Sequence, residues 1–200
     1  VGEVPGPHET AGAFARAEDA FERLWTPHRM VYIAGEEKPS HDGPGPECPF
    51  CRAPGRPDEV GLVVHRGLLA YAVLNLFPYN PGHLLICPYA HRADYTELTA
   101  EERAEVGEIT ATAMRVIRAV SAPDGFNLGI NQGAVGGAGI AGHLHQHVVP
   151  RWSGDSNFLP IVAGTKAVPE LLGRTRERLA AAWAREAERA AAEPVDGGAW

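Results

Sequence analysis

The chain has 200 residues, 44% of them hydrophobic and 22% charged, with a formal net charge of −7. That balance fits one globular domain with a sizeable core, and the negative charge excludes a general nucleic-acid binder or a protein that coats anionic membranes. No run is apolar enough for a transmembrane helix, the first residues lack the basic and apolar regions of a signal peptide, and three cysteines without a secretion signal predict a reducing, cytosolic setting.

Residues 1–19 read as a flexible N-terminal extension, 20–190 as a single domain and 191–200 as a frayed tail. Between Ala11 and Trp25, Phe14, Phe21, Leu24 and Trp25 recur at helical spacing until Pro27 breaks the pattern. Residues 35–60 carry Pro39, Pro44, Pro46, Pro49, Pro54 and Pro57 and read as a long irregular segment. A segment of that length inside a domain needs a pin, and Cys48-Pro49-Phe50-Cys51 offers one. Leu62–Arg66, Leu68–Asn75 and His83–Pro88 read as three strands of an antiparallel meander, with turn clusters at Gly67 and at Phe77–Gly82. Thr99, followed three residues later by Glu102, has capping-box spacing for a helix running to about Val120. Phe126–Asn131 is a fourth strand. Residues 139–151 form a fifth, ended by Pro150, which has no N–H for a ladder. Residues 152–166 are irregular, and an alanine-rich helix runs over 168–190, opened by Pro169. Strands in runs with flanking helices make an α+β fold. Gly136-Gly137-Ala138-Gly139 leads into a strand, so it is not a dinucleotide-binding fingerprint.

The chemistry concentrates at Gly142-His143-Leu144-His145-Gln146-His147. On a strand, period two puts all three imidazoles on one face, roughly 6.5 Å apart along the chain. The preceding Asn131-Gln132-Gly133-Ala134-Val135-Gly136-Gly137-Ala138-Gly139 is a glycine-dense loop whose N–H groups could cradle an anion. Three readings of the histidines stand side by side. One imidazole attacks phosphorus while its neighbours donate protons and hydrogen bonds; two or three bind a metal that activates water; or the face is structural, with histidines donating to carbonyls. Cys48-x-x-Cys51 is a two-ligand chelate, for which His91 and His143 are the candidate partners in a tetrahedral zinc site. A redox dithiol and two unconnected thiols are the alternatives. Cys87, in an apolar run, reads as a core thiol. Asn75 either caps a strand end or binds ligand. His83 reads as packing beside the Pro-Gly turn, Arg151 as a surface ion pair, and the arginines from Arg174 to Arg189 as a solvated helix face.

His143-Leu144-His145-Gln146-His147-Val148-Val149-Pro150-Arg151 resembles the signature of the histidine-triad (HIT) family. Phe126–Gly133, Leu74–Pro78 and Asn80–Ile86 fit the same family. Together with Leu24-Trp25-Thr26-Pro27 and Trp152 they look closest to an actinobacterial branch described as diadenosine tetraphosphate phosphorylases. The resemblance implies a HIT-like fold, a five-stranded antiparallel sheet with flanking helices, and a homodimer joining two sheets. It implies nucleotidyl transfer on dinucleoside polyphosphates, here phosphorolysis of diadenosine tetraphosphate to ADP and ATP, with nucleotide and inorganic phosphate as partners and no organic cofactor. On that pattern His145 is the nucleophile, His147 bonds the transferred phosphate, and His143 orients the site or binds metal. Asn75 would hold the ribose, and Asn131 with the Gly133 to Gly139 backbone would contact phosphate. Structural zinc on Cys48, Cys51, His91 and His143 also follows from the resemblance. Two departures stand out. Gln146 replaces an apolar residue and should point away from the histidine face. No Ser or Thr precedes the triad, so backbone N–H groups or Gln132 must take that phosphate contact. Hydrolysis of the same bond, or of an adenosine phosphoramidate, is the alternative activity, and a non-catalytic nucleotide sensor is the alternative from another class.

Overall fold

The computed structural model describes residues 43–155 and 171–192. The expected N-terminal extension, the helix at 11–25, residues 35–42 of the proline-rich segment, the stretch 156–170 with Pro169, and the tail from 193 lie outside the described residues. Within them the elements run α1 (Pro49–Arg52), α2 (Asp58–Gly61), β1 (Val63–Arg66), β2 (Ala70–Leu74), β3 (Leu84–Pro88), α3 (Ala100–Ser121), β4 (Gly125–Ile130), β5 (Gln146–Arg151) and α4 (Leu172–Ala192). The strands form one antiparallel sheet in the order β1-β2-β3-β5-β4. The expected meander holds for the first three strands. The last strand then inserts between β3 and β4, which brings the end of the chain's histidine run to the middle of the sheet.

Alternation along the strands gives the sheet two different faces. Ala70, Ala72 and Leu74 of β2, Leu84 and Ile86 of β3, and Val148 of β5 pack with Val106, Ile109, Ala113, Val116 and Ile117 of α3 and Leu179 and Trp183 of α4. On the opposite face lie Val63, Tyr71, Val73, Leu85 and Cys87, covered by Phe50 and Ala53 from the α1 region. The two long helices, α3 and α4, therefore occupy one side, and the short α1 region lies on the other. α3 begins with the full capping box, Thr99 and Glu102 each bonding the other's backbone N–H. It ends where Ala122 turns left-handed, at φ 43°, immediately before Pro123. The side chain of Glu105 on α3 accepts the N–H groups of Leu68, Leu69 and Ala70, tying the β1–β2 turn to the helix. A Cβ on Gly67 would lie 2.5 Å from that carboxylate and 2.8 Å from the Ala70 carbonyl, so only glycine fits this close approach.

Four local expectations are corrected. The triad strand starts at Gln146, not near residue 139, so His143 and His145 precede it. The ladder with β3 stops because Pro88 has no N–H to offer, and its carbonyl accepts instead from the His143 ring. Pro150 does not end β5: it pairs with Phe126. Its missing N–H faces the side where β3 has finished, where its carbonyl accepts from Asn80 Nδ2. The proline-rich segment is not wholly irregular, since Cys48 N-caps α1 with Pro49 in its first turn. Arg176 is not on a solvated face: its Nε donates to the Val63 carbonyl at 2.9 Å, and its side chain is only 12% exposed.

Candidate active site and metal centre

His145 Nδ1 lies 2.9 Å from the carbonyl oxygen of His143. A carbonyl can only accept, so Nδ1 carries the proton and Nε2 keeps its lone pair. Burial lowers the pKa of His145, opposed by that hydrogen bond, so the ring is neutral at pH 7. A neutral imidazole with an unprotonated nitrogen is the form that can act as a nucleophile.

His147, the one triad histidine inside β5, stands opposite Leu85 and hence on the face away from the helices. Its Nδ1 is 2.9 Å from Nε2 of His83. His83 is fully buried, and its Nδ1 faces the backbone N–H of Tyr79 at 3.1 Å and the Asn75 amide at 3.3 Å. A backbone N–H can only donate, so His83 Nδ1 accepts, His83 Nε2 donates, and His147 Nδ1 accepts. The His147 proton therefore sits on Nε2. That atom is buried and has no hydrogen-bond partner among the described residues. Burial, with a smaller repulsion from His145, holds the pKa of His147 down to about 4. His147 is thus a neutral donor, its ring 5.1 Å from that of His145 and stacked on Tyr79. From the sequence alone His83 reads as packing. The signal was available in strand parity: His83 is two residues before Leu85, which pairs with His147, so the two rings share a face.

His143 is turned the other way. Its Nε2–H donates to the Pro88 carbonyl at 2.9 Å, leaving Nδ1 unprotonated. Nδ1 lies 3.4 Å from Cys48 Sγ and 3.5 Å from Cys51 Sγ, while His91 Nδ1 is 3.3 Å from Cys51 Sγ. All four ligand atoms lie within 4.8 Å of one another. Two bonds of ~2.3 and ~2.0 Å at a tetrahedral angle place sulfur and nitrogen roughly 3.5 Å apart, so these separations are the edges of a coordination tetrahedron. The donor set and the second hydrogen bond of His143 both fit a structural zinc ion. Burial pushes the Cys48 thiol up, opposed by the N–H groups of Cys51 and Phe50; a dication would reverse that balance. Burial also brings His143 down to about 4.

The remaining candidates are placed as follows. Asn75 follows β2; its Oδ1 accepts from Phe77 N at 3.0 Å and its amide faces His83. Asn131 directly follows β4. Gln132 is tied by Oε1 to the Tyr95 N–H at 3.0 Å. Gly133 and Gly137 have φ of +71° and +84° in the tight loop that carries Gly139 toward the histidines. Gln146 points away from the triad face as expected, donating to Thr110 Oγ1 on α3 at 2.8 Å. Arg151 makes its ion pair with Asp155 at 2.6 Å. Cys87 is fully buried. No described helix is long and apolar enough to cross a membrane.

A family model described as HIT domain matches residues 60–154. A Mycobacterium tuberculosis protein named AP-4-A phosphorylase is 50% identical over 170 residues, covering 84% of this chain and 87% of that protein. Among solved structures, a zinc-bound histidine triad family protein from Mycobacterium smegmatis superposes with a TM-score of 0.58 at 26% identity, covering 71% of this chain and 96% of that one. A hypothetical histidine triad nucleotide-binding protein from Sulfolobus tokodaii shares the fold, with a TM-score of 0.55 at 24% identity, over 76% of this chain and all of that one.

Proposed function

The chain belongs to the HIT domain family, and from that premise we propose that it is a nucleotidyltransferase that cleaves diadenosine tetraphosphate by phosphorolysis. The observation that carries the reading is the pair of opposed tautomers: His145 with its lone pair on Nε2 beside His147 with an Nε2–H that has no partner among the described residues. The name of the relative at 50% identity supplies the substrate. His145 Nε2 attacks the phosphorus of one adenylyl group. An N–P bond forms, the P–O bond to the rest of the polyphosphate breaks, and ATP leaves. An oxygen of inorganic phosphate then attacks the same phosphorus, the N–P bond breaks, and ADP is released with His145 restored.

In both steps His147 Nε2–H donates to an oxygen of the transferred phosphoryl group, where charge builds up. The Asn75 carboxamide keeps an N–H and an Oδ1 lone pair beyond its internal bonds, and these suit the ribose hydroxyls. Asn131, the backbone N–H groups of Gly133 to Gly139, and Gln132 on release from Tyr95 would meet phosphate. Cys48, Cys51, His91 and His143 would hold zinc, whose contribution is to fix the segment that carries the His143 carbonyl. We further propose a cytosolic homodimer. Cys48, Cys51 and Cys87 are free thiols, and β4 is an edge strand carrying a half-exposed Leu128, a surface on which a second sheet can pair. Light scattering that gives the mass of one chain would refute the dimer.

The test of the reaction is product analysis with diadenosine tetraphosphate, with and without inorganic phosphate, beside His145→Ala. ADP plus ATP, only with phosphate and only with His145, supports phosphorolysis. AMP plus ATP without phosphate would make the protein a hydrolase. No turnover would sink the dinucleotide assignment.

A further inference from the structure

Phe50 stands between the two sulfur ligands in Cys48-Pro49-Phe50-Cys51, inside α1. Its backbone is held twice: by the flanking cysteines against His143 and His91, and by its own carbonyl, which accepts from the hydroxyl of fully buried Tyr71 at 2.6 Å. With the backbone so fixed, the ring reaches the triad. Its centroid is 4.8 Å from that of His145 at an interplanar angle of 39°, and 5.6 Å from that of His143, edge-on at 73°. The hydrogen bond from His145 Nδ1 to the His143 carbonyl leaves the ring free to rock about the N–H···O line. The Phe50 ring, tilted against the imidazole, restricts that freedom together with the His147 ring 5.1 Å away.

We propose that Phe50 is a positioning residue for the nucleophile, delivered onto His145 by the metal-binding turn, a role that rests on His145 being the nucleophile. Two contacts on His145 come from the segments that carry the cluster: the carbonyl of His143, itself one of the four clustered residues, and the ring of Phe50, which lies between Cys48 and Cys51. The cluster therefore aims the attacking nitrogen without touching substrate. Small misplacements of a reacting atom cost about 100-fold in rate, so loss of the ring should lower kcat by roughly 10- to 100-fold and leave KM nearly unchanged. A role confined to filling the layer formed by Val63, Tyr71 and Leu85 would lower thermal stability and leave His145 as it was.

The experiment uses the full, zinc-loaded chain as wild type, Phe50→Leu and Phe50→Tyr. Long-range proton–nitrogen NMR reads the His145 ring, elemental analysis reads zinc, and steady-state phosphorolysis reads kcat and KM. In Phe50→Leu with zinc retained, the His145 Nδ1 proton should broaden or exchange faster and kcat should fall with KM within about threefold; Phe50→Tyr should restore both. A wild-type His145 signal and kcat in zinc-loaded Phe50→Leu would overturn the proposal. Should that variant fail to fold, the wild type still decides: cross-relaxation between Phe50 ring protons and His145 ring protons is required, and its absence refutes the placement. A wild type that turns over nothing would remove the enzymatic reading, while the NMR arm would still judge the contact.

Discussion

Replacing His83 with phenylalanine tests the assignment of the His147 proton. The substitution fills the same buried space and removes the N–H that His83 Nε2 gives to His147 Nδ1 at 2.9 Å. A net hydrogen bond of this kind contributes ~0.5–1.5 kcal/mol, which is about 2- to 12-fold in rate if His147 keeps its orientation. If the proton moves to Nδ1, a lone pair faces the phosphoryl oxygen and the donor is lost, a change on the order of 100- to 1,000-fold at comparable oxyanion sites. The buried setting leaves His147 Nδ1 no other described donor, so the expectation falls between these limits. We expect kcat for phosphorolysis to drop about 10- to 100-fold with KM changed less than about threefold. The burst of ATP released from excess enzyme without phosphate should slow by the same factor, because the first displacement already needs the donor. His83→Gln, whose amide can still donate, should recover much of the loss. A His83→Phe kcat within about twofold of wild type would refute the tautomer argument.

Zinc removal should act through structure: elemental analysis should find one ion per chain, and chelation or Cys51→Ser should lower the melting temperature together with activity. A chelated protein with unchanged melting behaviour would mean that the four ligands hold nothing structural. A pH prediction follows from His147, whose folded pKa is about 4 against an ordinary 6.5. Above pH 6.5 the ring is neutral in both states and costs nothing. As pH falls from 6.5 toward 4 only the unfolded chain takes the proton, so stability declines through that window. Relative to His147→Asn, wild type should lose about 1–2 kcal/mol between pH 7 and pH 4, allowing for partial exposure of the ring. Denaturant titrations of both proteins at the two pH values check this, since zinc loss is common to both, and parallel pH dependences would refute it. Ile86, fully buried under α3, should cost about 2–5 kcal/mol when cut to alanine, and a midpoint shift equivalent to less than 1 kcal/mol would mean the site collapses freely.

The legible parts of the sequence were those governed by near neighbours. Strand alternation in Val63–Pro88, the Thr99–Glu102 cap and the Cys-x-x-Cys chelate each follow rules acting over a few residues, and all are present. The misread parts depend on what lies across the fold. Pro150 reads as a terminator because its neighbour on that side, β3, which begins at Leu84 opposite Val148, is set by sheet order and not by local sequence. The triad reads as one long strand because alternation of polar and apolar residues is the same whether a ladder exists or not, and the Pro88 that ends the ladder lies in the facing strand, 55 residues from His143. His83 and Phe50 lacked any local mark of function. Each gains its role from a ring that reaches it from elsewhere in the chain.

The acceptor that fixes the His145 proton is the main-chain oxygen of His143, and this sets a limit on what mutation can reach. A codon change can delete the His143 imidazole and leave that oxygen in the chain. Alanine scanning at position 143 therefore reports on the chelate and on backbone placement together, and never on the acceptor alone. Weakening the oxygen itself requires chemistry outside the genetic code, such as an ester in place of the Leu144 amide, which also removes the Leu144 N–H bond to the Arg92 carbonyl. Selection can retune the imidazoles one by one, but it can move this oxygen only by moving the loop.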